Sequence, residues 1–217
     1  MTTTFIKNEQ LNFINKQINL IKDSRKRNVP AHILSAVCDL AQAKILELFP
    51  NLTTEQQQLL DVSGLQTDAD FEVYLERLSA FIIPFSAITG QQLKKLFPKN
   101  KKLKVPDIAT MDLHHLTYLS WDDVRSSKKI IVYELEGKLV GIECNLTPSS
   151  KKNICSFCNT VGNVSYFSTV TKAKRSNNPD YYKSIGNLIC TDSNECNKKI
   201  TDVTYLEAFL KESLDIK

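Results

Sequence analysis

The sequence predicts an α+β chain, in which an N-terminal helical bundle precedes a mixed α/β C-terminal domain whose last part is organised by four cysteines. Three observations predict it: apolar residues at three-and-four spacing through the first third, two β-rich segments flanking a glycine turn, and two cysteine pairs in the last third. A chain of 217 residues is long enough for one compact domain or two small ones. With 42% hydrophobic and 24% charged residues it has the composition of a folded globular protein, which excludes a wholly disordered, collagen-like or low-complexity chain.

The elements follow in order. Phe5, Ile6, Leu11, Phe13, Ile14, Ile18, Leu20 and Ile21 predict an amphipathic helix from Phe5 to about Lys26. Pro30 suits an early position of a second helix, whose apolar period runs from Ile33 to Leu48 and stops at Pro50. Thr53 or Thr54 caps a third over Gln56 to Asp61. Short helices bury little alone, so residues 1–64 are expected to pack as a bundle. Gly64 and Thr67 mark a break and the next cap, so residues 65–146 are read as a first lobe of the C-terminal domain. It begins with a helix over Phe71 to Ile82 and continues with another over Gln91 to Phe97, halted by Pro98. Lys129–Leu135 and Lys138–Cys144 predict strands joined at Glu136-Gly137. Leu146 to Asn153 is polar and holds a proline, as a connection would, so residues 147–217 are read as a separate lobe.

The chemical signal lies in that last lobe. Cys155-Ser-Phe-Cys158 is followed, after thirty-one residues, by Cys190-Thr-Asp-Ser-Asn-Glu-Cys196. Two knuckles, each offering a pair of thiolates, converge on one tetrahedral Zn²⁺, and four protein ligands leave no position for a reactive water, so the ion is expected to be structural. This makes the lobe a four-cysteine zinc-finger lobe, and explains how so small a segment folds. A redox pair formed by Cys155 and Cys158 is the competing reading; a thioredoxin-like site has that pair alone, opening a helix after a strand. Cys38 and Cys144 lie in apolar patterns and read as core residues.

No catalytic signature accompanies these cysteines. His32, His114 and His115 are the only histidines, and neither a nucleophile elbow, a P-loop, an HExxH motif nor a dinucleotide fingerprint surrounds them, so the protein is not expected to be an enzyme. The N-terminus lacks the basic start and apolar run of a secretory signal, and no apolar stretch is long enough to span a bilayer. A cytoplasmic, reducing setting is therefore expected. Net charge is a mild +4. Its distribution is informative, because Lys151–Cys190 holds six basic residues against one acid, and Lys94–Lys104 holds six lysines and no acid. Phe157, Tyr166, Phe167, Tyr181 and Tyr182 interleave the first of these regions, ending at Lys183. Phe167 reads as core, while Phe157, Tyr181 and Tyr182 are candidates for contact with a partner.

Four stretches, in this order, carry a family likeness: Gln91–Pro106, with its lysine run; Tyr118-Leu-Ser-Trp-Asp-Asp123; Ser127-Lys-Lys-Ile-Ile-Val-Tyr133; and the four-cysteine lobe with its wide second knuckle, Cys190–Asp202. On these residues the chain resembles the FusB-type proteins of Gram-positive bacteria, which bind elongation factor G and in some members confer fusidic acid resistance. The resemblance implies a helical N-terminal bundle and a zinc-finger domain that docks on elongation factor G and promotes its release from the ribosome, without chemistry on the drug. It carries the zinc ligands over to Cys155, Cys158, Cys190 and Cys196. It also places Phe209 where the family has a partner-contacting aromatic, and Ile154, Ile185 and Leu188 where relatives have an aromatic, a lysine and a tyrosine. A monomer with one structural zinc ion is the expected form. Two rivals stand beside this reading: an RNA-binding zinc module acting on ribosomal or transfer RNA through Lys94–Lys104 and Lys151–Arg175, and a thiol redox switch.

Overall fold

A computed structural model describes residues 3–173 and 182–216. The chain divides into two compact units, Met1–Ile83 and Pro84–Lys217.

The first unit contains α1 (Asn8–Lys26), α2 (Ala31–Glu47), α3 (Thr54–Leu59) and α4 (Asp68–Ser79). The starts of α3 and α4 are set by side-chain caps. The Thr53 hydroxyl accepts from the Gln56 N–H at 3.2 Å while the Gln56 side chain accepts from the Thr53 N–H at 2.9 Å. Thr67 and Asp70 repeat the arrangement at α4. Ile14, Ile18 and Ile21 form the inward stripe of α1 and meet Ile45, Leu60, Phe71, Tyr74 and Leu78 in one core. Three of those residues belong to α4. The helix expected to open the C-terminal domain therefore completes the bundle instead, and the division falls after Ile83 rather than at Gly64. Phe5 and Ile6, expected to be helical, are extended. Phe5 N–H donates to Phe81 O at 2.9 Å and Ile83 N–H to Ile6 O at 2.8 Å, clasping the start of the unit to its end.

The second unit is built on an antiparallel sheet of β1 (Leu119–Asp123), β2 (Lys128–Leu135), β3 (Lys138–Ile154), β4 (Val161–Val170) and β5 (Ser184–Cys190), arranged in sequence order. The β2–β3 hairpin pairs Leu135 with Lys138. Its two turn residues, Glu136 at φ 51° and Gly137 at φ 75°, are both left-handed, as so tight a turn requires. Leu146 to Asn153, expected to be a connection, is instead the second half of β3 and pairs with β4 across an irregularity between Pro148 and Lys152. No lobe boundary lies at residues 146–147, because the sheet runs through it.

Alternation along β2 feeds two cores. Ile130 and Val132 join Leu93, Phe97, Leu103 and Leu119 on the side of α5 (Gly90–Leu96) and the loop after it. Ile131, Tyr133 and Leu135 join Phe157, Phe167, Leu206, Phe209 and Leu210 on the side of α7 (Thr204–Leu214), and the four paired cysteines lie in this same core. A short α6 (Ser193–Asn197) follows β5. Among the described residues, no helix is long and apolar enough to cross a membrane.

Candidate metal centre and partner surface

Three structural elements deliver the four cysteines. Cys155 and Cys158 lie on the turn between β3 and β4, which closes when Asn159 N–H donates to Cys155 O at 2.8 Å and Cys155 N–H to Thr160 O at 3.0 Å. Cys190 is the last residue of β5, and Cys196 lies in α6, whose start is capped by Asp192 Oδ1 accepting from Asn194 N–H at 2.8 Å. The wide second knuckle thus spans a strand end and the first turn of a helix. All four cysteines are buried, with their sulfurs within 4.8 Å of one another. Cys155 Sγ lies 3.8 Å from Cys196 Sγ, and Cys158 Sγ lies 3.7 Å from Cys190 Sγ. A tetrahedron of thiolates around a zinc ion, with bonds of about 2.3 Å, has edges of about 3.8 Å.

The electrostatics also favour a cation. Hydrogen bonding from Cys155, then from Cys190 and Cys196, holds the Cys158 thiol far below the ordinary range, while Cys190 and Cys196 are driven upward, with Cys155 as the leading cause. Four buried thiolates so close together repel one another and cannot all ionise without a positive charge among them. Further donors support the cluster: Cys190 N–H reaches Cys155 Sγ at 3.2 Å, and Thr160 Oγ1 lies 3.0 Å from Cys158 Sγ. An all-thiolate set suits a soft or borderline ion, and zinc fits it. Cys144 stands apart, its thiol pushed up to about 12 by burial.

Two supporting residues escaped the sequence reading. Asn197, directly after Cys196, accepts at Oδ1 from the N–H groups of Thr117 at 2.8 Å and Tyr118 at 3.1 Å. Its Nδ2 donates to Tyr118 O and Ser193 O, both at 3.0 Å, pinning α6 to the start of β1. Lys129, with a side chain only 4% exposed, donates to Thr191 O at 2.6 Å, pairs with Asp122 at 3.0 Å and lies 5.5 Å over the Phe167 ring. It ties β2 to the residue after Cys190. No local pattern marks either residue, because each acts on a segment distant in sequence.

The residues expected to touch a partner fall into distinct environments. Phe157 and Phe209 are 3% and 4% exposed and pack against each other with ring centres 6.0 Å apart. They are core residues, and the partner contact expected of them is not on the surface: Tyr118 meets Phe157 edge-on at 5.7 Å, and Tyr205 stacks on Phe209 at 6.5 Å. Ile154, at 53%, and Tyr182, at 73%, are exposed. Ile185 and Leu188 are half-buried against the core, and Lys183 pairs with Glu212. Tyr181 lies outside the described residues. The surface also presents aromatic and apolar groups that had not been singled out as exposed: Val161 opposite Ile154, Tyr166 opposite Leu188, and Tyr205. Tyr166 leans across Gly186, where a Cβ would come within 2.8 Å of its ring and 2.6 Å of Phe167 O. The available signal for Tyr166 was the period of two along β4, in which Ser165, Phe167 and Thr169 are buried and Tyr166 and Val170 exposed.

Comparison with known proteins agrees with this geometry. Residues 5–86 match the family model of the elongation factor G-binding protein, N-terminal, and residues 97–213 match the FBP C-terminal treble-clef zinc-finger. No curated protein sequence matches the chain. A solved structure of the fusidic acid resistance protein FusC is similar, with a TM-score of 0.78 and 29% identity, over 98% of this chain and 99% of that one. The turn bearing Cys155 and Cys158, the hairpin ending at Cys190 and the helix bearing Cys196 are what a treble-clef finger requires, and with both of its units matched the chain belongs to the FusB-type family of elongation factor G-binding proteins.

Proposed function

We propose that this protein docks on elongation factor G through its second unit and promotes the factor's departure from the ribosome, without chemistry on any small molecule. The observation that carries the reading is the paired family match, which spans both units in order. Speeding departure requires that the partner bind the factor better in a conformation the ribosome does not accept than in the ribosome-bound one; equal affinity for both would shift nothing. In a bacterial cell this is a cytoplasmic task.

In this reading Cys155, Cys158, Cys190 and Cys196 hold one structural zinc ion, which crosslinks the turn, the strand end and α6. Four protein ligands fill a tetrahedral set, so the ion's contribution is to fold the finger. The docking surface is then drawn from the exposed residues Ile154, Tyr166, Tyr182 and Tyr205. Phe209 and Phe157 act from beneath, as the aromatic layer on which Tyr205 rests. Aromatic anchors over a packed core are the arrangement in which a few residues carry most of the binding energy.

The test is a titration of the zinc-quantified protein into elongation factor G from the same organism, followed by a ribosome-release assay. Saturable one-to-one binding, weakened by Tyr205→Ala with the metal retained, is expected. Absence of binding by a folded, zinc-loaded protein would overturn the reading.

A further inference from the structure

The metal centre and its aromatic face leave the lysine run unexplained. It is a fixed shoulder rather than a loose tail. Thr89 caps α5, its hydroxyl accepting from Gln92 N–H at 3.2 Å, and Leu93, Phe97 and Leu103 are buried beneath the segment. Phe97 lies against Gly141, where a Cβ would come within 2.4 Å of its ring, so the approach depends on that glycine. The loop is folded by Asn100 N–H donating to Phe97 O at 3.0 Å and Leu103 N–H to Asn100 O at 3.2 Å, and Trp121 Nε1 secures its end by donating to Lys104 O at 2.9 Å.

From these anchors Lys94, Lys95, Lys99, Lys101, Lys102 and Lys104 are all exposed to solvent. Elsewhere in this unit six lysines find carboxylates, among them Lys128 with Glu143, Lys129 with Asp122 and Lys211 with Glu136, while Lys138, Lys151, Lys152 and Lys172 are spread along β3 and just after β4 rather than massed on one short segment. Among the described residues none of the six shoulder lysines has such a partner within 4.0 Å. Six like charges held on an ordered frame repel one another, and a polyanion relieves that repulsion. Protein interfaces are depleted in lysine and draw on arginine and aromatic residues, and the exposed part of the shoulder has neither. Ammonium groups, which act as point charges with no demand for planar geometry, suit phosphate contacts that carry no base sequence.

We propose that Lys94–Lys104 is a sequence-independent contact for the phosphate backbone of RNA, separate from the docking face. The contact rests on charge and not on the elongation factor reading, so the two fail independently.

The test compares the full-length protein with a Lys99→Gln/Lys101→Gln/Lys102→Gln variant and with the corresponding triple Lys→Arg variant. Each is titrated into a fluorescent single-stranded fragment of ribosomal RNA across a salt series, and separately into elongation factor G. Each phosphate contact on a single strand contributes about 0.7 to the slope of log affinity against log salt, so the glutamine variant should lose about 2 from that slope. Its RNA affinity at low salt should fall at least about tenfold, while the arginine variant keeps both slope and affinity. Elongation factor G binding should be equal in all three proteins. The RNA result would uphold the proposal even if no protein bound the factor. Equal slopes and affinities for the wild type and the glutamine variant would overturn it. So would a glutamine variant that loses elongation factor G binding alone, since the shoulder would then be a protein contact.

Discussion

The two units of this protein reach a stable fold by different means. The first is closed by apolar side chains: Ile14, Ile18, Ile21, Ile45, Phe71, Tyr74 and Leu78 are at most 1% exposed, and the starts of α3 and α4 carry their own caps. In the second, part of the core is the cysteine cluster itself, for Cys155, Cys158, Cys190 and Cys196 share one cluster with Phe157, Phe167 and Phe209. A core of apolar groups is complete once folded, whereas four clustered cysteines can all ionise to thiolates only with a cation to neutralise them. Perturbations should therefore separate the units.

The largest effect is expected from the metal. Structural zinc sites contribute about 10–16 kcal/mol of apparent binding energy at neutral pH, as much as or more than the whole stability of a typical domain. Cys190→Ser, or a strong chelator, should release the ion and unfold the region from the Cys155 turn through α6, while α1 to α4 persist. Hydrogen exchange resolved by region reads both at once; protection retained around Cys155 and Cys196 after metal loss would show that the finger stands without it. The reciprocal experiment is Ile18→Ala. Removing a fully buried branched side chain should cost the first unit about 4 kcal/mol and leave the zinc content unchanged.

Asn197→Ala tests whether the metal centre depends on its polar supports. The substitution removes the acceptor shared by the Thr117 and Tyr118 N–H groups and the donor to Tyr118 O and Ser193 O. A cost of about 3 kcal/mol is expected, since stranding buried backbone groups costs about 1–3 kcal/mol each. Zinc should still bind, but exchange at Thr117 and Tyr118 should rise well above the wild-type rate; an unchanged rate would mean that α6 is held by the metal alone.

The same contrast explains what the sequence disclosed. The cysteine ligands, the Glu136-Gly137 turn and the threonine caps are set by short-range chemistry, so spacing alone reveals them. The family likeness rests on that same local information. The boundary after Ile83 was not legible, because it depends on Ile6 meeting Ile82 and on α4 joining α1, contacts that no local window contains. The outer half of β3 was missed because its Thr-Pro-Ser-Ser-Lys-Lys-Asn run is mostly exposed and has no apolar alternation; only its register with β4 makes it a strand. Phe209, expected at the partner surface, lies in the core instead; an apolar residue on an amphipathic helix looks the same in both roles until the packing of Phe157 against it is known.

The smallest effects are at glycines, and there the two units should differ in sign. Gly64 lies in a turn of the first unit with no positive φ and with nothing within 4 Å of an added methyl group, so Gly64→Ala should stabilise by about 0.5 kcal/mol through the lower entropy of the unfolded chain. Gly186, in β5, has no such room. A Cβ there meets Phe167 O at 2.6 Å, and because that oxygen belongs to the backbone of the paired strand, it cannot rotate aside as the Tyr166 ring can. Gly186→Ala should therefore cost about 2 kcal/mol, the usual scale of overpacking, and should lift Tyr166 from its place across the strand. Thermal unfolding gives the sign of each change, and the ring NMR signals of Tyr166 would follow its displacement. If Gly186→Ala proved as harmless as Gly64→Ala, the β4–β5 pairing would be softer than its register implies, and the rigidity of the docking face would have to come from the metal centre alone.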